Sequence, residues 1–282
     1  MPEGHTLHRL AGHLGAAVAG RRVGVSSPQG RFAAAAEELD GQVLEHAEAW
    51  GKHLFLAFPG ARWVHVHLGL YGKLDVHPDV DDVLAPVGQV RMRLVADDAR
   101  GRAYADLRGA TACELLTDAQ RDAVLERQGP DPLRADADPD LAWDRIRRSR
   151  APIGALLMDQ SVLAGVGNVY RAEVLFRHRL DPQRPGRTLR VGQWQALWED
   201  LVVLMTEGVR TGRIDTVRPE HEPEAMGRAP RRDDHGGEVY VYRRTGQPCL
   251  VCGRAVRTTE MVGRNLFWCS RCQPTFRSRA LR

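Results

Sequence analysis

Four cysteines carry the sharpest chemical signal in the chain. Cys249-x-x-Cys252 and Cys269-x-x-Cys272 form two knuckles with sixteen residues between them. That spacing matches a site in which four thiolates close a tetrahedron around one zinc ion. Such a site keeps no open position, so the expected ion is structural and supplies folding energy to a small module. Cys113 stands apart and reads as a buried apolar residue. Arg254, Arg257, Arg264 and Arg271 flank the knuckles, together with Phe267 and Trp268. Arginines on a small zinc hairpin suit contact with nucleic-acid phosphates. The two aromatics are expected to pack the metal site, and Arg264, near the hairpin tip, is the arginine expected to reach DNA.

Two further segments have chemical potential. Gly165-Val166-Gly167-Asn168 lies between helical stretches. Its glycines let a turn close, Asn168 suits a helix N-cap, and a helix start favours a phosphate. A plain helix connection would use the same residues. The chain opens Met1-Pro2-Glu3-Gly4. With Met1 removed, Pro2 presents a secondary amine. An α-amino group has a pKa near 8, so part of it is an unprotonated nucleophile at neutral pH. Such an amine can attack a sugar aldehyde carbon and form an iminium, with Glu3 placed to move a proton.

The frame around these residues is that of an ordinary globular protein. The chain has 282 residues, 43% hydrophobic and 27% charged, enough for about two domains. Neither a membrane span nor a secretory leader is visible. The odd cysteine count points to a reducing compartment, so a cytoplasmic location is expected. Net charge is +4 with a pI near 9.0, which permits a polyanionic partner without requiring one. Among 40 basic residues only Lys52 and Lys73 are lysine. A GC-rich genome accounts for the bias; it also draws attention to Lys52.

Val43–Ala49, His53–Phe58, Trp63–Leu68 and Gln89–Val95 read as strands of an antiparallel sandwich or barrel, preceded by a helix over Gly4–Ala17. Thr117 is expected to cap a helix through Arg127. Gly129-Pro130-Asp131-Pro132-Leu133 breaks it and serves as a linker. Leu141–Arg147, Ile153–Gln160, Val169–Phe176 and Val191–Gly208 read as helices. Strand–helix alternation is missing, which argues against a Rossmann-like sheet. The segment 215–238, rich in Pro, Gly and charge, reads as a flexible loop.

Taken in order, Met-Pro-Glu-Gly, Gly51-Lys52-His53-Leu54-Phe55, Asp159-Gln160 with Ala164-Gly165-Val166-Gly167-Asn168-Val169-Tyr170, and the closing Cys-x-x-Cys-Gln span the whole chain. The sequence strongly resembles the formamidopyrimidine-DNA glycosylase/endonuclease VIII family of base-excision repair. The resemblance implies a multidomain α+β fold. A β-sandwich lobe with its flanking helix would occupy 1–116, a helix and linker 117–133, and a helical domain with a helix–two-turn–helix 134–214. The loop 215–238 and a zinc-finger β-hairpin at 239–282 would follow, with DNA in the cleft between the lobes.

The resemblance also implies roles. Pro2 is the nucleophile, Glu3 moves protons, and Lys52 contacts phosphate and depresses the amine pKa by like-charge repulsion. Asn168 binds phosphate at the lesion, and Arg264 binds the phosphates flanking it. Leu70 and Tyr71 are wedge candidates that fill the gap left by an extruded nucleotide. Arg108 is a phosphate or wedge candidate. Tyr170 and Glu173 fall on family positions, with a helix-surface role as the alternative. The implied partner is damaged double-stranded DNA, or single-stranded or bubble DNA, bound by a monomer.

Several positions bear on substrate. His5 and Thr6 replace acidic residues common in the formamidopyrimidine branch, and Gly154 stands where that branch often has lysine. Both favour the endonuclease VIII branch and oxidised pyrimidines; oxidised purines are the alternative. Gly69 stands where a glutamine is expected, which leaves reading of the opposite base open. His65 and His67 share a strand face but lack partners for a second metal. A non-catalytic damage binder and a zinc-ribbon RNA or ribosomal binder are the competing classes. The set Pro2, Glu3 and Lys52 argues against the first, and the 115-residue β lobe against the second.

Overall fold

The computed structural model describes residues 2–233 and 237–277. Met1, residues 234–236 of the expected loop and residues 278–282 of the expected zinc finger lie outside the described residues. The chain forms two compact units, Met1–Arg127 and Gln128–Arg282.

The first unit opens with α1 (Gly4–Val18), which buries Leu7, Ala11, Leu14 and Val18 at helical spacing. There follow β1 (Arg21–Ser26), α2 (Ala33–Leu39), β2 (Gln42–Leu44), β3 (His46–Trp50), β4 (His53–Phe58), β5 (Arg62–His67), β6 (Lys73–Val80), β7 (Val90–Asp98), β8 (Gly101–Arg108), β9 (Ala112–Thr117) and α3 (Asp118–Leu125). They make two antiparallel sheets, ordered β2-β1-β7-β8-β6 and β3-β4-β5-β9. Val23, Leu94 and Leu107 from one sheet and Leu54, Leu56 and Val64 from the other join α1 in one apolar core. This is the expected sandwich with its helix.

The expected strand Val43–Ala49 is two strands in different sheets, because the chain crosses between sheets at Glu45. Strands β1, β6, β8 and β9 escaped the sequence reading. In β8 the reason is charge: Asp106 is 2% exposed yet bonded twice to Arg93, at 2.7 and 2.9 Å. A buried charge paired this way breaks the apolar alternation that marks a strand. Thr117 caps α3 as expected, in a reciprocal capping box with Gln120.

The second unit contains α4 (Pro139–Ile146), α5 (Ile153–Leu156), α6 (Asn168–Arg177), α7 (Val191–Thr211), α8 (Pro223–Met226) and the hairpin β10 (Arg257–Met261) with β11 (Arg264–Trp268). Helix α5 stops four residues short of expectation. The Asp159 side chain accepts from Ser161 N at 2.9 Å and Gln160 folds back onto the carbonyls of Met158 and Val166, so local side-chain bonds replace helical ones. Every residue of α6 from Val169 to Phe176 is buried. The core runs from Trp194 and Leu201 of α7 through α6 to Phe267, Cys269 and Cys272, so the cysteine module shares the helical core.

The expected loop 215–238 is anchored at both ends. Thr216 and Glu238 are buried, Thr216 N donates to Glu238 O at 2.8 Å, and Glu238 N donates to Asp215 at 2.7 Å. No helix among the described residues is long and apolar enough to cross a membrane.

Candidate active site, nucleic-acid interface and metal centre

Pro2 precedes Glu3, which takes the N-cap position of α1 and is 2% exposed. Lys52 sits on the two-residue turn between β3 and β4, where Trp50 pairs with His53. Gly51 has φ +57°, the positive value that a hairpin turn with glycine first requires. Helix α1 packs on β3 and β4, so one substructure carries all three expected catalytic residues.

Behind Lys52 lies a stack of histidines. His53 Nδ1 is 2.8 Å from His65 Nε2, and His65 Nδ1 is 2.9 Å from Glu114 Oε1. His65 thus bridges His53 and the Glu114 carboxylate through its two ring nitrogens. Burial, then the charges of His65, His67, Arg127 and Lys52, hold His53 down to about 3. Burial followed by His65 and Lys52 also lowers His67. His53 and His67 therefore add no charge beside Lys52 at neutral pH. Arg121 of α3 covers its outer side, with its guanidinium 5.8 Å from the Phe55 ring centroid and 4.2 Å from that of Trp63. His65 and His67 belong to this stack, and no second metal cluster occurs among the described residues.

Leu70 and Tyr71 stand on the turn between β5 and β6, 48% and 88% exposed. The turn needs its glycine. Gly69 has φ +67°, and a Cβ there would lie 1.9 Å from Thr111 Oγ1. Glutamine is thus shut out of position 69 by the backbone and by Thr111.

Arg108 is differently placed from a wedge. Its guanidinium donates to Asp75 at 3.0 Å, to Asp106 at 2.9 Å and to Val87 O at 3.0 Å. It joins the ion pairs of its own sheet, which commits those donors before any phosphate arrives.

In the second unit, Gly165 N donates to Gln160 Oε1 at 3.0 Å, while Gln160 Nε2 donates to Val166 O at 2.9 Å. This clamp fixes the Gly-Val-Gly turn ahead of α6. The N-cap is Gly167, and Asn168 is the first helical residue, not the cap. Its side chain reaches sideways: Nδ2 donates to Asn265 O at 2.9 Å, and Oδ1 accepts from Arg171 Nη2. Asn265 adjoins Arg264, the first residue of β11. The hairpin tip is Val262-Gly263 with φ +53° and +64°, the two positive values of a type I′ turn. Asn168 and Arg264 are therefore brought to one place.

Tyr170 is not on that surface. It is 0% exposed and its hydroxyl faces Leu204 O at 3.5 Å, because α6 is buried on all sides. Glu173 is equally buried. Its carboxylate accepts from the N–H groups of Tyr240, Val241 and Tyr242 at 2.7 to 2.9 Å and from the Thr216 hydroxyl at 2.6 Å. The helix-surface alternative fails for both residues. Arg171 was missed in the sequence. The available signal was an arginine three residues after Asn168, flanked by Val169, Tyr170, Ala172 and Val174.

The cysteine sulfurs all lie within 4.8 Å of one another. Four zinc–sulfur bonds of about 2.3 Å place the sulfurs about 3.8 Å apart. Cys249 and Cys272 are separated by 3.8 Å, and Cys252 and Cys269 by 3.5 Å, so the donor set fits one zinc ion. Burial pushes the Cys249 thiol up to about 11, so the thiolate form depends on coordination. Cys113 is buried and apart, as expected. Trp268 is half-buried and Phe267 buried, and Phe267 joins the core beside the cysteines.

Three family models match in order along the chain: the formamidopyrimidine-DNA glycosylase N-terminal domain over 1–113, its H2TH domain over 128–219, and the zinc finger found in FPG and IleRS over 246–275. Endonuclease 8 1 of Mycobacterium tuberculosis is 54% identical over 275 residues, covering 97% of this chain and 100% of that protein. A formamidopyrimidine-DNA glycosylase of Thermomicrobium roseum is 32% identical, with 80% of each chain covered. Among solved structures, the Lactococcus lactis Fpg in complex with DNA containing an abasic site superposes with TM-score 0.75 at 21% identity, covering 97% of this chain and 100% of that one.

Proposed function

The chain belongs to the formamidopyrimidine-DNA glycosylase and endonuclease VIII family, and we propose that its glycosylase and lyase chemistry runs through Pro2. It is a DNA glycosylase and AP lyase of base-excision repair. In the proposed reaction the Pro2 amine attacks C1′ of the damaged nucleotide. The glycosidic bond breaks and the base leaves with a proton; the C1′–O4′ bond then opens, O4′ taking a proton, and nitrogen and C1′ form an iminium. The iminium acidifies the C2′ proton, whose loss expels the 3′ phosphate; a second elimination expels the 5′ phosphate. Glu3, buried beside Pro2, moves protons at the sugar. Lys52, on its glycine turn, holds a phosphate and disfavours protonation of the amine.

Asn168 takes the phosphate at the lesion and Arg264 the phosphates flanking it, since the bond from Asn168 to Asn265 O joins their elements. Leu70 and Tyr71, exposed on a rigid turn, fill the gap in the stack. Zinc, when bound by the four cysteines, supplies no chemistry but fixes the hairpin that presents Arg264. The observation carrying this reading is the joint presence of Pro2, Glu3 and the Lys52 turn on α1, β3 and β4.

Oxidised pyrimidines are the proposed substrates. Position 154, where the other branch often has lysine, is tight here: a Cβ on Gly154 would lie 3.0 Å from Met261 Sδ and 3.1 Å from Pro182 O. The enzyme is proposed to act as a monomer in the cytoplasm, on duplex DNA. A panel of duplexes carrying either oxidised pyrimidines or 8-oxoguanine tests the preference. Faster excision of 8-oxoguanine would transfer the enzyme to the purine-directed reading, and no strand cutting at any lesion would leave only a damage binder.

A further inference from the structure

Arg171 takes no part in the proposed chemistry, yet it is wholly buried and bonded to the residue proposed to grip phosphate. Its guanidinium donates to Asn168 Oδ1, to Asn265 O at 3.4 Å and to Gly154 O at 3.3 Å. A guanidinium only donates and a carbonyl only accepts. Asn168 lies between one of each. Its oxygen must face Arg171 and its NH2 must face Asn265 O, and the flipped amide would set donor against donor and acceptor against acceptor.

The consequence concerns DNA. One N–H of Asn168 Nδ2 is taken by Asn265 O at 2.9 Å. The second has no partner among the described residues, and Asn168 is half-exposed. A phosphate accepts hydrogen bonds and is repelled by a bare amide oxygen. We infer that Arg171 is a positioning residue for DNA binding: it locks the Asn168 amide with its N–H outward and ties it to the strand that carries Arg264. The inference rests on the reading that Asn168 binds phosphate.

The test is the affinity for a duplex holding a tetrahydrofuran abasic analogue, measured for the zinc-loaded wild type, N168A, R171Q, R171K and the double variant N168A/R171Q. The glutamine amide introduced by R171Q can donate or accept, so it no longer dictates the orientation of Asn168. N168A and R171Q should each weaken binding about tenfold, the worth of a hydrogen bond to a charged group. The double variant should bind no worse than N168A, because Arg171 acts through Asn168. R171K, again donor-only, should recover most of the loss. A purely structural arginine would instead give multiplied losses in the double variant, and that result, or wild-type binding by R171Q, overturns the inference. If N168A itself binds like the wild type, the phosphate reading of Asn168 falls first, and the two failures are distinguishable. A second measurement holds even where R171Q does not fold. N168D keeps an oxygen for Arg171 and should be at least as stable to urea as N168A while binding DNA no better. N168D less stable than N168A would contradict the contact.

Discussion

The carboxylate of Glu173 takes the Thr216 hydroxyl at 2.6 Å while three successive backbone N–H groups, from Tyr240 to Tyr242, converge on the same two oxygens. One side chain in the centre of α6 thus holds both ends of the segment 216–242. Removing it strands buried donors that have no water to turn to. Glu173→Ala should cost about 3 kcal/mol or more in urea unfolding. Glu224→Ala, on the exposed α8, should stay within about 0.5 kcal/mol. Equal effects for the two would dissolve the anchoring role.

The metal should stabilise more than its own hairpin. Cys249, Cys269 and Cys272 pack into the core of the helical unit. Chelation should therefore lower the melting temperature of that unit and abolish DNA binding together, with both restored by added zinc. Retained DNA affinity in demonstrably metal-free protein would contradict this.

Much of this architecture was legible in the sequence, and the exceptions have physical causes. The capping box at Thr117 and the amphipathic spacing of α1 are local, so they could be read. The two cysteine knuckles give the zinc set for the same reason. Strand β8 could not be found, since its buried Asp106 is neutralised by Arg93 from the neighbouring strand. Sequence position alone points Tyr170 and Arg108 toward DNA. Burial of α6 and the ion pairs of Arg108 are tertiary facts that no spacing displays. Asn168 is tied to the hairpin by a side-chain bond to Asn265 O and does not cap α6.

Acid should weaken the first unit through its histidines. Burial above all lowers His53 to about 3 and His5 to about 4, against 6.5 for an exposed imidazole. For a base with a depressed folded pKa, the unfolded chain binds the proton first. Stability is therefore full above pH 6.5 and falls as pH drops from there toward 3 or 4. Each such proton contributes a slope of about 1.4 kcal/mol per pH unit. Urea unfolding at pH 7.5, 6 and 5 should show this decline, and His53→Leu should make it shallower. An unchanged slope in that variant would mean His53 is accessible to protons in the folded state.

The turn carrying Leu70 and Tyr71 separates shape from contact. Gly69→Gln forces a side chain against Thr111 at φ +67° and should destabilise by about 1 to 3 kcal/mol. Tyr71→Ala, at a residue 88% exposed, should leave stability within about 0.5 kcal/mol. It should slow excision from duplex DNA more than from single strands, where no stack needs filling. Equal slowing on both substrates would remove Tyr71 from the wedge.

The nucleophile is the central claim, and borohydride trapping on an abasic-site oligonucleotide tests it most directly. Untagged protein with Met1 removed is compared with Pro2→Ala, each checked for DNA binding. The account predicts a covalent protein–DNA adduct with the wild type, its mass placed on the N-terminal peptide, and none with Pro2→Ala. Binding without an adduct in the wild type, or an adduct that survives loss of Pro2, would contradict it.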